Sequence, residues 1–384
     1  MKGDNFALVR RPPSSVEKAG AGARRIQSAI VADTLALAKK QQSRRVAAKF
    51  RIGDYKWREP DYRQILTWAK ALGVKPEEVI EGLLQGPERT KQTWRETQFE
   101  NGRLLKVHWD FDLLPLWEFE LDEPLETTHL TFWTGSGRRP RIRLHNLRLP
   151  NLSHLYFADR GFIVDDCNLS GVPNLTTLAC WDSQIQELDL SKVAGLEFLM
   201  CQGNRLSDLD LSAVPNLVAL VCSDNEISGL DLSGVPHMVE LDCSSNKLSG
   251  LDLSKVPRLT QLNCNENRLT QLDLSKVPQL VGVGCSFNEI RELHLGRLPK
   301  LDYLACISLG LRNLDLSATP GLTILYCDGN EIQALDLSKV PGLTELDCSS
   351  NPISVLDIRP LARLRELKCD AESTRLIQRP DQHF

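Results

Sequence analysis

The chain has 384 residues, 42% hydrophobic and 25% charged, with no apolar run near the roughly 18–20 residues that cross a bilayer and no secretory-type leader at its start. That composition excludes a disordered, a collagen-like and a membrane-spanning chain, and it points to a folded, cytoplasmic protein. The formal charge of −4 hides a division: residues 1–100 hold 20 Lys and Arg against 12 Asp and Glu, a net of +8, and the rest hold 26 against 38, a net of −12.

Residues 1–50 carry 11 basic and 3 acidic side chains. Ser14-Ser-Val-Glu17 fits a capping box, and Ile26, Ile30 and Leu37 fall on one side of the helix that would follow to about Lys40. This stretch reads as a basic arm or amphipathic helix, solvated or docked on a partner or a membrane surface. Residues 51–93 read as a small helical region. Pro60 opens a helix on which Tyr62, Ile65, Trp68, Ala69 and Leu72 share a face; Gly73 ends it, and Pro76-Glu-Glu opens another. The phrase ILTWAKALGVKPEEVIEGLL resembles the closing helices of repressor-type helix-turn-helix domains.

Residues 94–150 read as a β-rich cap. Asn101-Gly102 between two β-rich runs predicts a hairpin, and WEFEL and HLTFW alternate as half-buried strands do. Trp57, Trp68, Trp94, Trp109, Trp117 and Trp133 all precede the regular repeats and are suited to plugging the open first turn of a stack.

From residue 151 to 371 a period takes over. Cys180, Cys201, Cys222, Cys243, Cys264, Cys285, Cys306, Cys327, Cys348 and Cys369 stand 21 residues apart, and only Cys167 is off the grid. The unit is L-x-x-L-x-C-x-x-N-x-L-x-x-L-D-L-S-x-V-P-x, as in LTQLNCNENRLTQLDLSKVPQ, residues 259–279. A fixed period of this length marks a solenoid, in which no unit buries its own apolar face and successive turns must stack. Alternation puts Leu262 and Cys264 inside and leaves Gln261, Asn263 and Asn265 on the other face. A column of single thiols suits neither disulfides nor a converging metal set, so the cysteines read as reduced packing residues. An irregular unit with two extra residues runs from Leu152 through Cys167, and residues 372–384 form a terminal cap or tail.

These motifs resemble leucine-rich repeats, and the 21-residue length with a second L-D-L segment resembles their short bacterial class. The resemblance implies a parallel β coil of about 10–11 turns with little or no convex helix, preceded by the helical region and the β-rich cap. It also implies that the recurrent Asn, as in Asn267, hydrogen-bonds the turn leaving the strand. Ser183, Leu309 and Glu372 replace that Asn, and Leu309-Gly310 predicts a local distortion near Cys306. The Asp column of L-D-L-S, Asp189 to Asp357, is expected to bond locally to the turn that follows.

No catalytic constellation, phosphate loop or nucleophile elbow is present, and no cofactor or metal is expected. Function therefore falls to the outward strand positions, the third, fifth, seventh and eighth of each unit. Phe287, Tyr303, Ile307, Ile324 and Tyr326, around Gly282, Gly284 and Ala305, predict an apolar depression; Trp181, Phe198 and Met200, with Val221, form a second cluster. Between them Glu240, Asp242, Asn263 and Glu266 are acidic or polar. The reading is a monomeric, non-enzymatic module that binds a protein or peptide on the concave face of the coil and repels nucleic acid. The alternatives are a DNA-linked regulator with a protein-sensing repeat domain, and a secreted bacterial effector that binds host proteins.

Overall fold

The computed structural model describes residues 50–52, 55–84, 98–100, 103–110, 118–119, 126–133, 141–143, 148–158 and 162–384. The helix expected over residues 14–40 lies outside them. A small antiparallel pair, β1 (Phe50–Ile52) and β2 (Tyr55–Trp57), leads into α1 (Glu59–Leu72) and α2 (Pro76–Leu84). Pro60 sits in the first turn of α1, and Gly73 ends the helix at φ 68°, a left-handed conformation that glycine takes without steric cost. Ile65, Trp68 and Ala69 are buried as their spacing predicts. Asp61 is buried beside them and accepts the Leu104 amide at 2.8 Å; burial pushes its carboxyl up to about 6.

One long sheet organises the rest. It starts with β3 (Gln98–Glu100), which pairs antiparallel with β4 (Arg103–Asp110), Glu100 opposite Arg103. Parallel strands follow: β6 (His129–Trp133), β8 (His154–Ala158), β10 (Thr177–Ala179), β11 (Phe198–Met200), β12 (Ala219–Val221), β13 (Glu240–Asp242) and β14 (Gln261–Asn263). The series continues with β15 (Gly282–Gly284), β16 (Tyr303–Ala305), β17 (Ile324–Tyr326), β18 (Glu345–Asp347) and β20 (Glu366–Lys368). Two smaller parallel sheets are formed by β5 (Glu118–Phe119), β7 (Arg141–Arg143) and β9 (Ile163–Asp166), and by β19 (Val355–Asp357) with β21 (Arg375–Ile377).

From β10 onward each register step, Thr177 to Phe198 to Ala219 and so on, equals the interval between successive cysteines, as their spacing predicts. The parallel stack also runs unbroken through residue 150. Lys106, His129, His154 and Thr177 are register partners in turn, at longer and unequal intervals. The strand positions that hold Leu and Cys downstream hold Leu155 and Phe157, Leu130 and Phe132, and Val107 and Trp109 here, all buried. Phe132 and Phe157 stack with centroids 5.4 Å apart, and Trp68 of α1 meets Trp109 edge-on at 4.7 Å.

Within a regular turn, Leu259, Leu262, Cys264, Leu269, Leu272, Leu274 and Val277 are at most 3% exposed. Each such Leu contributes about 1.5–3 kcal/mol through burial. All eleven cysteines are free; ten are buried and Cys369 is partly buried. Burial pushes the thiols up, Cys285 to about 12. The L-D-L-S segments stay extended or form one 3-10 turn, as at Leu274–Lys276 and Leu337–Lys339. So short a connection leaves no room for an α-helix there. Asp189, Asp210, Asp231, Asp252, Asp273, Asp315 and Asp336 each accept the amide of the Ser two positions on, at 2.8–3.0 Å.

The Asn column behaves as expected. Asn267 Oδ1 accepts the Leu248 amide, and its Nδ2 donates to the carbonyls of Cys243, Cys264 and Asn265. At Leu309 the expected distortion does not occur: β16 keeps register with both neighbours. Asn330 reaches back from the following turn: its Oδ1 accepts the Leu311 amide, as the column does elsewhere, and the Leu309 amide as well. Asn204 serves Ser183 and Ile185 in the same way.

The candidate functional site on the outward sheet face

The short strands bury their central residue and expose the two that flank it, the i-B-i pattern seen in β11 to β14, β17 and β18. Two columns of side chains therefore face outward, from the third and fifth positions of each turn. The third column runs Phe198, Ala219, Glu240, Gln261, Gly282, Tyr303, Ile324, Glu345; the fifth runs Met200, Val221, Asp242, Asn263, Gly284, Ala305, Tyr326, Asp347.

Tyr303, Ile324 and Tyr326 meet on this face. The two tyrosine rings cross edge-on, centroids 5.9 Å apart at 82°, and Tyr326 Oη donates to Glu345 Oε2 at 2.5 Å. Burial and that carboxylate hold the Tyr326 hydroxyl well above the usual tyrosine range. Phe198 and Met200 stand on one strand, with Ala219 and Val221 as register partners.

The depression expected over the glycines is absent, because neighbouring amides fill it. A Cβ on Gly282 would lie 2.2 Å from Gln261 Oε1, and one on Gly284 would lie 3.0 Å from Asn265 Nδ2 and 3.2 Å from Asn263 Oδ1. Asn265 itself is buried, not outward: its Oδ1 accepts the Ser286 amide at 2.7 Å, and Ser286 Oγ accepts the Ile307 amide at 3.1 Å. The seventh position is thus part of the turn in the middle of the coil, although Trp181 and Ile307 keep partial exposure there.

The eighth position also leaves the sheet face. Asp182, Gly203, Asp224, Ser245, Glu266, Phe287, Ser308, Gly329 and Ser350 all have φ between 51° and 70°. This left-handed conformation costs an L side chain roughly 1–2 kcal/mol and is held by the Asn hydrogen bonds that follow it. Phe287, at φ 56° and 49% exposed, projects from this turn, one column outside Tyr303 and Tyr326, and Glu266 does the same beside Asp242 and Asn263. The sequence period locates the eighth position but carries no sign of its backbone hand, since Phe, Glu, Ser, Asp and Gly all occur there.

Carboxylates flank both clusters. Burial, then Asp242, pushes the Glu240 carboxyl up, and burial does the same to Asp242, against bonds from the Ser244 amide and hydroxyl. Asp328, next to Tyr326 and Asp347, is pushed up to about 6 by burial and then by Asp347. Asp347 accepts the Ser349 hydroxyl at 2.6 Å and pairs with Lys368 at 3.2 Å. Asp328, Glu345 and Asp347 were not singled out from sequence; their place beside Tyr326 in register is the signal that finds them.

Upstream the third column holds His129 and His154. Their rings stack in parallel, 4.2 Å apart at 7°, although they belong to different turns of the coil. Burial pushes His129 down to about 3 and His154 to about 4, so both are neutral at pH 7. Thr128 Oγ1 and Ser153 Oγ sit against their Nδ1 atoms at 2.9 and 2.7 Å. Among the described residues no group of three or more His, Cys, Asp and Glu could hold a metal ion, and no helix is long and apolar enough to cross a membrane.

No family model and no curated protein matches the chain. Among solved structures, a leucine-rich-repeat protein of Leptospira interrogans superimposes with a TM-score of 0.55 over 82% of this chain and 87% of that one, at 18% identity. An internalin, InlF, of Listeria monocytogenes gives a TM-score of 0.51 over 67% and 87%, at 19% identity. The fold is a leucine-rich-repeat coil. The functional domain of Listeria monocytogenes InlJ, which includes a cysteine ladder, has 28% identity and a TM-score of 0.46; the match covers 59% of this chain and 60% of that domain. In the leucine-rich-repeat coil described here, the inner face of the regular turns is filled mainly by leucines and thiols, and the outward strand positions vary from turn to turn.

Proposed function

We propose that the chain is a non-enzymatic binding module that takes a protein or peptide on the outward, concave face of its repeat sheet. The observation that carries this reading is the Tyr303, Ile324 and Tyr326 cluster, bordered by Asp328, Glu345 and Asp347. Half-exposed aromatic side chains ringed by acidic groups favour a partner segment with basic and aromatic or aliphatic side chains, and the carboxylates repel nucleic acid. Phe198, Met200, Glu240 and Asp242 extend the same surface toward the early turns, and Trp181, Glu266, Phe287 and Ile307 border it. Solved neighbours include a plant peptide hormone receptor in complex with its peptide, which supports a repeat sheet as a peptide-binding scaffold. The same reading places the module in a bacterial cytoplasm, with a secreted effector as the alternative setting.

The test is capture of partners by the full chain beside a Tyr303→Ala, Tyr326→Ala variant and a Phe287→Ala variant. Loss of the specific partner in the double variant, with a smaller loss for Phe287→Ala, is the expected result. Partners that survive the double change would refute the site. A DNA-linked role would draw on the net +8 of residues 1–100, and salt-dependent retention of the chain on DNA is its test.

A further inference from the structure

The last turn ends the long sheet on an open edge. β20 pairs in parallel with β18 on one side, and among the described residues nothing pairs with its other side. On inner turns the cysteine amide donates to the following turn, Cys327 to the Asp347 carbonyl and Cys348 to the Lys368 carbonyl, at 2.8 and 2.9 Å. The carbonyl two positions before the central Leu accepts from the following turn, as Thr344 does from Arg365 and Glu366. On the last turn the equivalent groups are the Cys369 amide and the Arg365 carbonyl, and strand alternation turns the Leu367 N–H and C=O the same way. Four backbone groups line this edge.

The core is open at the same place. Leu364, Leu367, Cys369 and Leu376 are only partly buried, whereas their counterparts one turn earlier, Leu343, Leu346, Cys348 and Leu356, are at most 2% exposed. Among the described residues those that follow β20, up to Phe384, do not pair along this edge but stack on the preceding turn. Thr374 Oγ1 donates to the Ile353 carbonyl at 2.8 Å, and Gln382 Nε2 donates to the carbonyls of Ile358 and Leu361 at 3.0 Å.

We propose that β20 pairs antiparallel with β20 of a second copy of this chain, about a two-fold axis through Leu367, joining two coils end to end in one continuous sheet. In that register Leu367 faces the partner's Leu367 and exchanges both N–H···O bonds, and the Cys369 amide reaches the partner's Arg365 carbonyl. All four open groups are used on each chain. Glu366 then stands opposite the partner's Lys368, twice, at the closely spaced sites where cross-strand charge pairs act most strongly. The exposed ends of the two cores close against each other, and the symmetry ends the assembly at two copies. The same operation on β3, the outermost strand at the other end, sets Gln98 against Glu100 and yields no ion pair. The charge pattern of Glu366-Leu367-Lys368 therefore favours self-pairing at this end over the other, and the proposal is a dimer where the sequence reading favoured a monomer.

Sedimentation equilibrium of the full chain is the test. The wild type is expected to show a concentration-dependent shift from monomer to dimer mass. Glu366→Lys or Lys368→Glu alone puts like charges opposite each other at both sites and should weaken dimerisation about tenfold or more at low salt. An equimolar mixture of the two single variants should recover a dimer, because each mixed pair again matches opposite charges. A monomer mass at every wild-type concentration, an undiminished dimer in either single variant, or no recovery on mixing of two folded variants would overturn the proposal.

Discussion

The regular turns from Cys180 to Cys369 and the longer turns from Arg103 to Cys167 build the same sheet from different materials. In the regular turns a nearly constant set of Leu, Cys and Val recurs at one fixed period, and the Asn and Asp columns bond equivalent backbone groups in one turn after another. In the earlier turns the spacing is longer and uneven, the inner column carries Trp109, Phe132 and Phe157 instead of thiols, and the outer column carries a stacked histidine pair. A thin solenoid core needs only that apolar groups of adequate size meet from one turn to the next. Strict repetition is one solution, and larger side chains with looser spacing are another.

The two solutions should differ in how much one residue matters. Phe132→Ala, which leaves a ring-sized cavity between Trp109 and Phe157, is expected to cost about 3–5 kcal/mol, and Leu262→Ala about 2–5 kcal/mol. Denaturant unfolding of each variant measures both. If stability were spread evenly along the coil, as in a nearest-neighbour array of repeats, Phe132→Ala would melt the early turns at lower denaturant than the rest, and Leu262→Ala would lower the main transition. Next in size is the Asn column. Asn330→Ala strips the acceptor from two buried amides, Leu309 and Leu311, where Asn267→Ala strips it from one, so Asn330→Ala should be the more costly by about 1–3 kcal/mol.

A further effect is set by pH. In the unfolded chain His129 and His154 regain a value near 6.5, while burial holds them near 3 and 4 in the fold. Between those limits the unfolded state binds protons that the folded state excludes, so stability is lost as pH falls from about 6.5 toward 4. Asp61 and Asp328, both pushed up to about 6, act in the opposite sense over much of that window. The comparison is therefore made against a His129→Gln, His154→Gln variant, whose stability should fall less on acidification; an identical pH dependence would place the histidines in contact with water.

Much of this was legible in the sequence. The cysteine ruler gave the period, the inner face and the parallel register, because a small apolar residue recurred at one fixed place among the leucines of each unit. Pro60, Gly73 and Pro76 bounded both helices through their backbone constraints alone. Residues 94–150 read as a β-rich cap from their hairpin and alternation signals, and nothing in those signals shows that Trp109 and Phe132 fill the column that cysteines hold downstream. On the sheet the third and fifth positions flank the buried central residue and stay partly exposed in β11 to β14, β17 and β18, as strand alternation implies. The seventh position is buried in the turn at Asn265 and Ser286, and the eighth, exposed at Phe287, stands on a left-handed residue; neither fact follows from a period. Nor does a period show that Gln261 lies across Gly282.

Inside and outside are the central assignment, because fixing one face of the sheet as filled leaves the other free to bind. Timed thiol labelling of the native, full-length protein, read by mass, tests it most directly. The structure predicts that Cys369 reacts first, that the ten other thiols react slowly, and that all eleven react once the chain is unfolded. Rapid labelling of several cysteines between Cys180 and Cys348 in the native protein, or a mass deficit from disulfides, would contradict it.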